Sequence, residues 1–321
     1  MSGNNNERYD VIIPVAGKDL DFLPWVIKYA KYNLLEAENI YVITKQELIK
    51  KAKRILDRFE GKKRNEMHYD DVDLTIREFK PRMDPNEVKV FFLDEDNVVP
   101  NLSYLKIREL LKKYGLDPGR TGWYFQQFLK FGFPFSSYCN KYYLTLDSDT
   151  LPLVPLKFFK DGHPLFTVKS EYHPAYFSTI KKLLNIERQS ELSFISEMVL
   201  FNKEIMISLV NEISILDSHV QWYENVLSSF NLEEQEPYFS EFETYGNYSM
   251  VHSPGFYSFR HLNTFRRAGL IKGRFIDDTM LKKLSFDLDI ASFEAYDGPL
   301  WARVLSKSPK QIIKSFINRF R

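Results

Sequence analysis

The feature that most constrains the fold is an alternation of strand and helix patterns near the start of the chain. Apolar runs at residues 11–15 and 40–44 flank a segment whose apolar residues recur at helical spacing. Short apolar runs of this kind are typical of buried strands, and two strands joined through a helix pair in parallel. The sequence therefore predicts an α/β fold with a Rossmann-related, mostly parallel central sheet and flanking helices.

The same patterns continue along the chain and become less regular in its last third. We predict helices at 46–59, 104–114, 123–131 and 194–216, strands at 74–79, 88–93, 142–146 and 165–169, and an acidic linker at 231–237. The sequence has no internal repeat and no convincing interdomain linker. It predicts a flexible N-terminus (1–8), a single domain (9–307) and a C-terminal helix (308–321).

Composition excludes several classes of function. The net charge is +1, which argues against bulk nucleic acid as the main partner. The single cysteine, Cys139, allows no internal disulfide, and no cluster of cysteine and histidine suggests zinc. No segment approaches the roughly 20 apolar residues that span a bilayer, and the first ten residues are polar. A cytoplasmic location is expected.

The candidate metal motif is Asp147-Ser148-Asp149, which directly follows a predicted strand. Carboxylate oxygens are preferred ligands of hard divalent cations, and open parallel sheets bind ligands beyond the carboxyl ends of their strands. The pattern Asp-x-Asp occurs five times in the chain, but only two copies follow clear apolar runs. The second of these, Asp94 and Asp96, is therefore the rival site.

Residues 143–150 resemble the metal-binding strand end of GT-A glycosyltransferases, and residues 11–44 resemble the opening β-α-β unit of that family. Residues 122–130 and 240–248 resemble segments of poorly characterised bacterial glycosyltransferase-like proteins associated with surface polysaccharides. The resemblance covers residues 9–265 and implies a GT-A-like domain with a nucleotide-sugar part (9–170) and an acceptor part (171–307). It also implies Mn²⁺ or Mg²⁺, a nucleotide-diphosphate sugar donor, and a glycan or lipid-linked acceptor.

The resemblance assigns roles to individual residues. Asp147 and Asp149 would bind the metal with His252 as a third ligand, and Glu241 or Glu243 would be the catalytic base of an inverting reaction. The expected donor-binding residues are Pro14, Val15, Lys18, Trp123, Gln127, Lys130 and Ser148, and the expected acceptor-binding residues are Glu197, His261 and Arg266. A plainer interpretation also fits Glu241: Ser240 caps a helix, and an acid in the first turn stabilises it.

Two other functions fit the same pattern. A sugar nucleotidyltransferase shares the fold and the need for a metal, but residues 14–19 contain one glycine where that class has a glycine-rich loop. A non-catalytic carbohydrate-binding protein is the other alternative. Residues 308–321 place apolar side chains on one helical stripe among lysines and arginines, which predicts either peripheral contact with the inner face of the membrane or packing on the domain itself.

Overall fold

The computed structural model describes residues 7–61, 82 and 84–298, and the elements below are those of the described residues. The strands are β1 (Tyr9–Pro14), β2 (Ala37–Thr44), β3 (Lys89–Asp94), β4 (Tyr142–Leu146), β5 (Thr150–Pro152), β6 (Phe159–Lys160), β7 (His163–Thr167), β8 (Met198–Asn202), β9 (Ser258–Arg260), β10 (Thr264–Phe265) and β11 (Ile290–Ser292). The helices are α1 (Leu23–Asn33), α2 (Gln46–Glu60), α3 (Tyr104–Lys113), α4 (Thr121–Gly132), α5 (Pro174–Leu184), α6 (Lys203–Ile215), α7 (Trp222–Ser228), α8 (Glu241–His252), α9 (Gly269–Lys272) and α10 (Asp278–Leu284).

A five-stranded sheet in the order β3-β2-β1-β4-β8 forms the centre of the protein. The first four strands are parallel, and β8 joins β4 in the antiparallel direction. The mixed α/β fold with a mostly parallel sheet and flanking helices is therefore confirmed. Since the parallel strands run in one direction, the segments that follow β1, β2, β3 and β4 all emerge at one edge of the sheet.

Helices cover both faces of the sheet because side chains alternate along each strand. Val11 and Ile13 of β1 belong to the core beneath α1 and α2, whereas Ile12 belongs to the core formed with α3 to α8. The same alternation separates Leu144 from Tyr143 in β4. A strand buried on both faces reads as a continuous apolar run, which is why β1, β2 and β4 were predictable from the sequence.

Two separate three-stranded sheets accompany the central one, and one of them brings the end of the described chain back to the segment after β4. One has the order β10-β11-β5 and the other the order β6-β7-β9. Strand β5 begins at Thr150, immediately after the Asp-x-Asp motif, and pairs with β11 in the antiparallel direction. The hydroxyl groups of Thr150 and Ser292 lie 2.7 Å apart across this pair. Residues just after β11 therefore lie beside the motif.

The prediction of a mainly helical segment at 194–216 is wrong in its first part. Residues 194–197 are irregular, Met198–Asn202 form β8, and only then does α6 begin, where Asn202 caps it by accepting from the backbone N–H groups of Glu204 and Ile205. A short apolar run fits a buried strand and a buried helix equally well by periodicity, which explains the error. Because β8 completes the central sheet, the predicted nucleotide-sugar and acceptor parts share that sheet.

The remaining predicted elements agree closely with the structure wherever it describes them. The strand at 142–146 is exact, the helix at 46–59 is one residue longer, and the strand at 165–169 is β7, which lies two residues earlier. The elements after α8 are short, in keeping with the expected irregular C-terminal region. The predicted strand at 74–79, the Asp71/Asp73 pair, residues 1–6 and the helix at 308–321 lie outside the described residues. Within the described part, no helix is long and apolar enough to cross a membrane.

Candidate active site

The Asp-x-Asp motif lies where β4 ends, at the carboxyl edge of the sheet. All five residues of β4 are buried, so the first side chain free to face outward after the strand belongs to Asp147, which is 42% exposed. The backbone N–H of Thr150 donates to the carbonyl of Asp147 and closes a tight turn around the motif. The turn holds Asp147 and Asp149 at the position where open parallel sheets bind ligands.

A buried lysine joins Asp147 to the candidate base. Nζ of Lys130, in α4, lies 3.1 Å from Oδ1 of Asp147 and 2.8 Å from Oε1 of Glu241, at the start of α8. The side chains of Lys130 and Glu241 are only 3% and 7% exposed. The ammonium group also lies 4.6 Å from the centre of the Phe242 ring. We call Asp147, Lys130 and Glu241 the charged triad.

The environment of the triad alters how its members bind protons. Burial raises the pKa of Glu241 above its ordinary value, although Lys130 lowers it. Burial lowers the pKa of Lys130, but the charges of Asp147 and Glu241 outweigh this effect and leave the pKa above its ordinary value. Lys130 is therefore a cation held between two carboxylates, and a buried cation needs such partners.

Local structure fixes the position of Glu241. Ser240 precedes α8, and its hydroxyl accepts a hydrogen bond from the backbone N–H of Glu243, as the capping interpretation predicted. The backbone N–H of Glu241 donates to Oε1 of Gln127, one turn before Lys130 in α4. Lys130 is fixed in turn by the Tyr143 hydroxyl, which donates to the Lys130 carbonyl at 2.8 Å. Helix α4 thus holds the start of α8 through Gln127 and carries Lys130, whose backbone is held by β4.

The two acids of the 240–248 segment have different surroundings. Glu243 accepts from the Ser193 hydroxyl at 2.5 Å and from the Asn247 amide at 3.3 Å, and it is 1% exposed. These partners tie α8 to the loop before β8. Asn247 in turn accepts from the backbone N–H of Gln189. Of the pair, Glu241 alone belongs to the charged triad.

An open cavity of about 500 Å³ lies in front of the charged triad. Its walls combine all three triad residues with aromatic side chains and a further cation, namely Trp123, Tyr172, Tyr176 and Arg266. We call it the aromatic cleft. It collects six residues that the sequence placed in one site but could not place next to one another: Trp123, Gln127, Lys130, Asp147, Glu241 and Arg266.

Arg266 is held at the rim of the aromatic cleft by two acids. Its guanidinium group lies 2.6 Å from Glu171 and 3.1 Å from Glu197. Glu197 also contacts Lys169, and its side chain is 4% exposed. Although burial raises the pKa of Glu197, its ion pairs with these two cations hold it below the ordinary value. Glu197, predicted to bind the acceptor, therefore lies behind Arg266 and positions it.

Several carboxyl groups lie close to Asp149, the second aspartate of the motif. Burial, together with the charges of Asp147 and Glu294, raises the pKa of Asp149 to about 8, and Asp149 and Glu294 share a hydrogen bond. Asp19 is also near and forms an ion pair with Arg274 at 2.7 Å. Carboxylates so close together repel one another, and a hard cation bound between them would relieve that repulsion.

The carboxylates fit a divalent cation that also binds a substrate. In the described part of the chain, no three side chains are arranged to hold a metal alone. Mg²⁺ commonly uses one or two carboxylates and completes its shell with water and substrate phosphates. Asp147 and Asp149 meet that requirement. Glu294 and Asp19 were not predicted, since they join the site through β11 and through the loop after β1.

Four other predicted site residues do not line the aromatic cleft, namely His252, His261, Lys18 and Ser148. His252 ends the 12-residue helix that Glu241 begins, about 16 Å away along its axis, and stacks on Tyr248. His261 is exposed in a loop, Lys18 is exposed in a short 3-10 helix (Gly17–Asp19), and Ser148 is buried in the turn of the motif. The rival acids form a turn: Asp94 accepts from the backbone N–H of Asp96, and Asp96 accepts from that of Tyr104.

A second cavity, of about 270 Å³, opens at the ends of β1, β2 and β3. Pro14 and Val15, both predicted to bind the donor, line it together with Lys45 and Glu95. We call it the strand-end pocket. Gln126 of α4 lines both this pocket and the aromatic cleft, so the two cavities are neighbours along one edge of the sheet.

The fold and site define an α/β protein with an acidic, cation-bridged site at the carboxyl edge of its sheet. Residues 70–270, more than half of the chain, match a family of unknown function (DUF6492), and the chain belongs to this family. No curated protein matches the sequence.

Two solved structures are similar to this chain. Mouse xyloside xylosyltransferase 1, in its apo form, is 11% identical, with 91% of this chain and 99% of that chain covered and a TM-score of 0.45. WbbM, a bifunctional glycosyltransferase in its apo form, is 12% identical with a TM-score of 0.44. In that comparison 98% of this chain is covered, and it spans about half, 52%, of the WbbM chain.

Proposed function

We propose that this protein is a metal-dependent glycosyltransferase that moves a sugar from a nucleotide-diphosphate sugar to a glycan or lipid-linked acceptor. The observation that carries the proposal is the charged triad. It joins a strand-end Asp-x-Asp motif to a buried glutamate, at the mouth of an aromatic cleft. The Asp-x-Asp motif suits a cation that binds phosphates, and the buried glutamate suits a reacting hydroxyl group. Both lie at the ligand-binding edge of the sheet. Surface polysaccharide synthesis is the context that the sequence resemblance suggests.

Asp147 and Asp149 would hold Mn²⁺ or Mg²⁺. Such a cation, when bound, neutralises charge on the diphosphate that leaves the sugar. The lysine of the charged triad keeps Asp147 in place, since its ammonium group donates to Oδ1 at 3.1 Å. The tight turn closed by Thr150 sets the direction of both aspartates.

Glu241 is the proposed general base of an inverting transfer. Its carboxylate takes the proton of the acceptor hydroxyl as that oxygen forms a bond to the anomeric carbon. The bond from that carbon to the phosphate oxygen breaks, and the nucleoside diphosphate leaves with the electron pair. Burial raises the pKa of Glu241, which strengthens it as a base, while Lys130 keeps it ionised until it accepts the proton. General-base assistance of this kind contributes roughly 10²–10⁴-fold to the rate.

The aromatic cleft suits a sugar acceptor. Trp123 and Tyr172 contribute aromatic rings to its wall, which can contact the apolar side of a sugar, and Tyr172 is 58% exposed. Arg266 at the rim can donate to hydroxyl, carboxylate or phosphate oxygens. An acceptor bound there lies directly in front of Glu241, so the cleft and the base act on the same molecule.

The proposal is tested by separating donor binding from transfer. Asp147→Ala and Asp149→Ala should abolish Mn²⁺-dependent binding of nucleoside diphosphates in calorimetry, whereas Glu241→Gln should keep binding and lose turnover. Asp287→Ala is the matched control, because Asp287 belongs to another Asp-x-Asp pair and is exposed away from the site. Product analysis should show an inverted anomeric centre.

Three results would contradict the proposal at different points. If metal-dependent binding persists in the Asp147→Ala, Asp149→Ala double variant, the two aspartates are not the metal ligands. If Glu241→Gln keeps full turnover, Glu241 is not the general base. A product with retained configuration excludes the direct displacement described above.

A further inference from the structure

Arg274 joins three segments of the chain next to the acidic part of the candidate site. It lies in the turn after α9, and each nitrogen of its guanidinium group donates a hydrogen bond. Nε donates to the carbonyl of Phe293 at 2.8 Å, Nη2 to Oδ1 of Asp19 at 2.7 Å, and Nη1 to the carbonyl of Lys18 at 3.4 Å. One side chain therefore ties the residue after β11 to the short helix after β1.

Phe293 extends these contacts to the Asp-x-Asp motif. Its N–H donates to the carbonyl of Asp149 at 2.8 Å, while its own carbonyl accepts from Arg274. The buried ring of Phe293 lies 5.6 Å from the ring of Phe22, and the guanidinium group of Arg274 lies 5.1 Å from that same ring. The hydrogen bonds thus form one chain from Arg274 through Phe293 to the backbone of Asp149.

A glycine gives the turn that directs Arg274 into the protein. Gly273, which ends α9, has φ 63° and ψ −139°, a combination that residues with a Cβ rarely adopt. The side chain of Arg274 is 21% exposed, whereas that of Phe275, the next residue, is 81% exposed. The local sequence therefore places the arginine inside the turn and the aromatic residue outside it.

This arrangement holds Asp149 without occupying its carboxylate. The pKa of Asp149 is raised by burial and by neighbouring acids, among them Asp19, which Arg274 pairs at 2.7 Å. In the part of the chain that the structure describes, no lysine or arginine forms an ion pair with Asp149 or with its partner Glu294. The backbone support therefore leaves this carboxylate available to a bound cation.

We propose that Arg274 is a positioning residue of the metal site, which fixes Asp149 through Phe293 and holds the neighbouring acid Asp19 in an ion pair. The inference rests on the proposed function, because it assumes that Asp149 binds a divalent cation. Residues that hold metal ligands in place typically change metal affinity roughly 10- to 100-fold when they are replaced. Arg274 is expected to act at this scale.

Charge and position predict opposite results when Arg274 is replaced by methionine. If the charge of Arg274 were its main effect on the site, losing a cation from this acidic region would strengthen the binding of Mn²⁺. The positioning role predicts weaker binding, because Asp149 loses the support that reaches it through Phe293. The sign of the change in Mn²⁺ affinity therefore separates the two explanations.

The test measures the affinity of the whole chain for Mn²⁺, with free Mn²⁺ counted by electron paramagnetic resonance, alone and with UDP, GDP, CDP or ADP. Arg274→Met should weaken Mn²⁺ binding roughly 10- to 100-fold. Arg274→Lys keeps a charge for Asp19, but one ammonium group does not reproduce the guanidinium fork that also reaches Phe293. It should therefore restore the melting temperature more fully than the Mn²⁺ affinity.

Arg267→Met is the matched control for stability. Arg267 lies in the same region and forms an ion pair at 3.0 Å with Asp297, whose side chain is fully buried. Removing this arginine should lower the melting temperature, since a buried acid loses its partner, but should leave Mn²⁺ affinity unchanged. If Arg267→Met weakens Mn²⁺ binding as much as Arg274→Met does, the loss follows general destabilisation and the inference is wrong.

The failure of this inference differs from failure of the proposed function. If the wild-type protein binds no Mn²⁺ with any of the four diphosphates, the proposed function falls and the positioning role falls with it. If Asp149→Ala abolishes Mn²⁺ binding but Arg274→Met binds Mn²⁺ as tightly as the wild type, or more tightly, only the positioning role is wrong. Should Arg274→Met not fold, Arg274→Lys decides the question: weaker Mn²⁺ binding supports the positioning role, and unchanged binding overturns it.

Discussion

Replacing Lys130 by methionine tests the charged triad most directly. Methionine keeps an unbranched apolar stem of similar length, so the core around it should stay filled. The ammonium group disappears, and Glu241 then lacks its cation at 2.8 Å. Asp147, which is 42% exposed, can turn to water, but Glu241, which is 7% exposed, cannot.

The size of the effect follows from this burial. Removing one partner of a buried ion pair costs about 3–5 kcal/mol, because a charge is left uncompensated. Loss of the contact between the ammonium group and the Phe242 ring adds to the cost. The exposed pair of Lys112 and Glu109 provides a matched control: its side chains are 49% and 67% exposed, and such pairs contribute about 0–1 kcal/mol. Lys112→Met should therefore leave the free energy of unfolding nearly unchanged.

The assay is urea unfolding of three variants: Lys130→Met, Glu241→Gln and the double variant that combines them. The double variant should recover much of the stability lost in Lys130→Met, since it no longer buries an unpaired charge. A coupling free energy of about 0.5–3 kcal/mol is expected for residues in one ion-pair network. If Lys130→Met is as stable as Lys112→Met, or if the two changes are simply additive, the buried charge pair does not exist as described.

Three further predictions concern other parts of the chain. Burial raises the pKa of Glu36 to about 7 from 4.5, so the folded state holds the proton more tightly and stability should fall as pH rises from about 4.5 to 7. Glu36→Gln, which can still accept from the Phe158 N–H, should remove that slope and gain at most roughly 3 kcal/mol at pH 8 in urea unfolding. Gly246→Ala should lower stability by about 1–3 kcal/mol, because an added Cβ would lie 2.2 Å from Cγ of Phe194; an unchanged melting temperature would contradict that packing. Deleting 308–321 should reduce flotation with anionic liposomes, and equal partitioning of both forms would exclude a membrane role for that segment.

The sequence pattern predicted the parallel strands of the central sheet, because strands buried on both faces, such as β1 and β4, have continuous apolar sequences. The strand β8 shows where that signal ends. Its five residues are as apolar as the helix that follows, and only pairing with β4 distinguishes the two. When an edge strand comes from a distant segment of the chain, its own sequence does not show which strand it pairs with.

The candidate site shows the same limit in another form. Asp147 was predictable because strand and acid are adjacent in sequence, and Lys130 and Glu241 were recognised separately. Their junction was not predictable, since it depends on how α4 and α8 approach the end of β4. Glu294 and Glu95 carry no sequence mark beyond their charge. Glu294 reaches the site through the pairing of β11 with β5. The Oε1 atom of Glu95 has no hydrogen-bond partner among the described residues, which only coordinates reveal.

The balance of charge at the sheet edge supports a donor that binds together with a cation. Lys130 is the one cation of the charged triad, and it is shared by two carboxylates. Asp149 and Glu294 add two more acids, and burial together with the charges of Asp147 and Glu294 raises the pKa of Asp149 to about 8. A diphosphate alone would meet this acidic edge with like charge, and repulsion of this kind is strong where side chains are partly buried. A divalent cation reverses that balance, so the proposed function expects nucleoside diphosphates to bind weakly without Mn²⁺ or Mg²⁺.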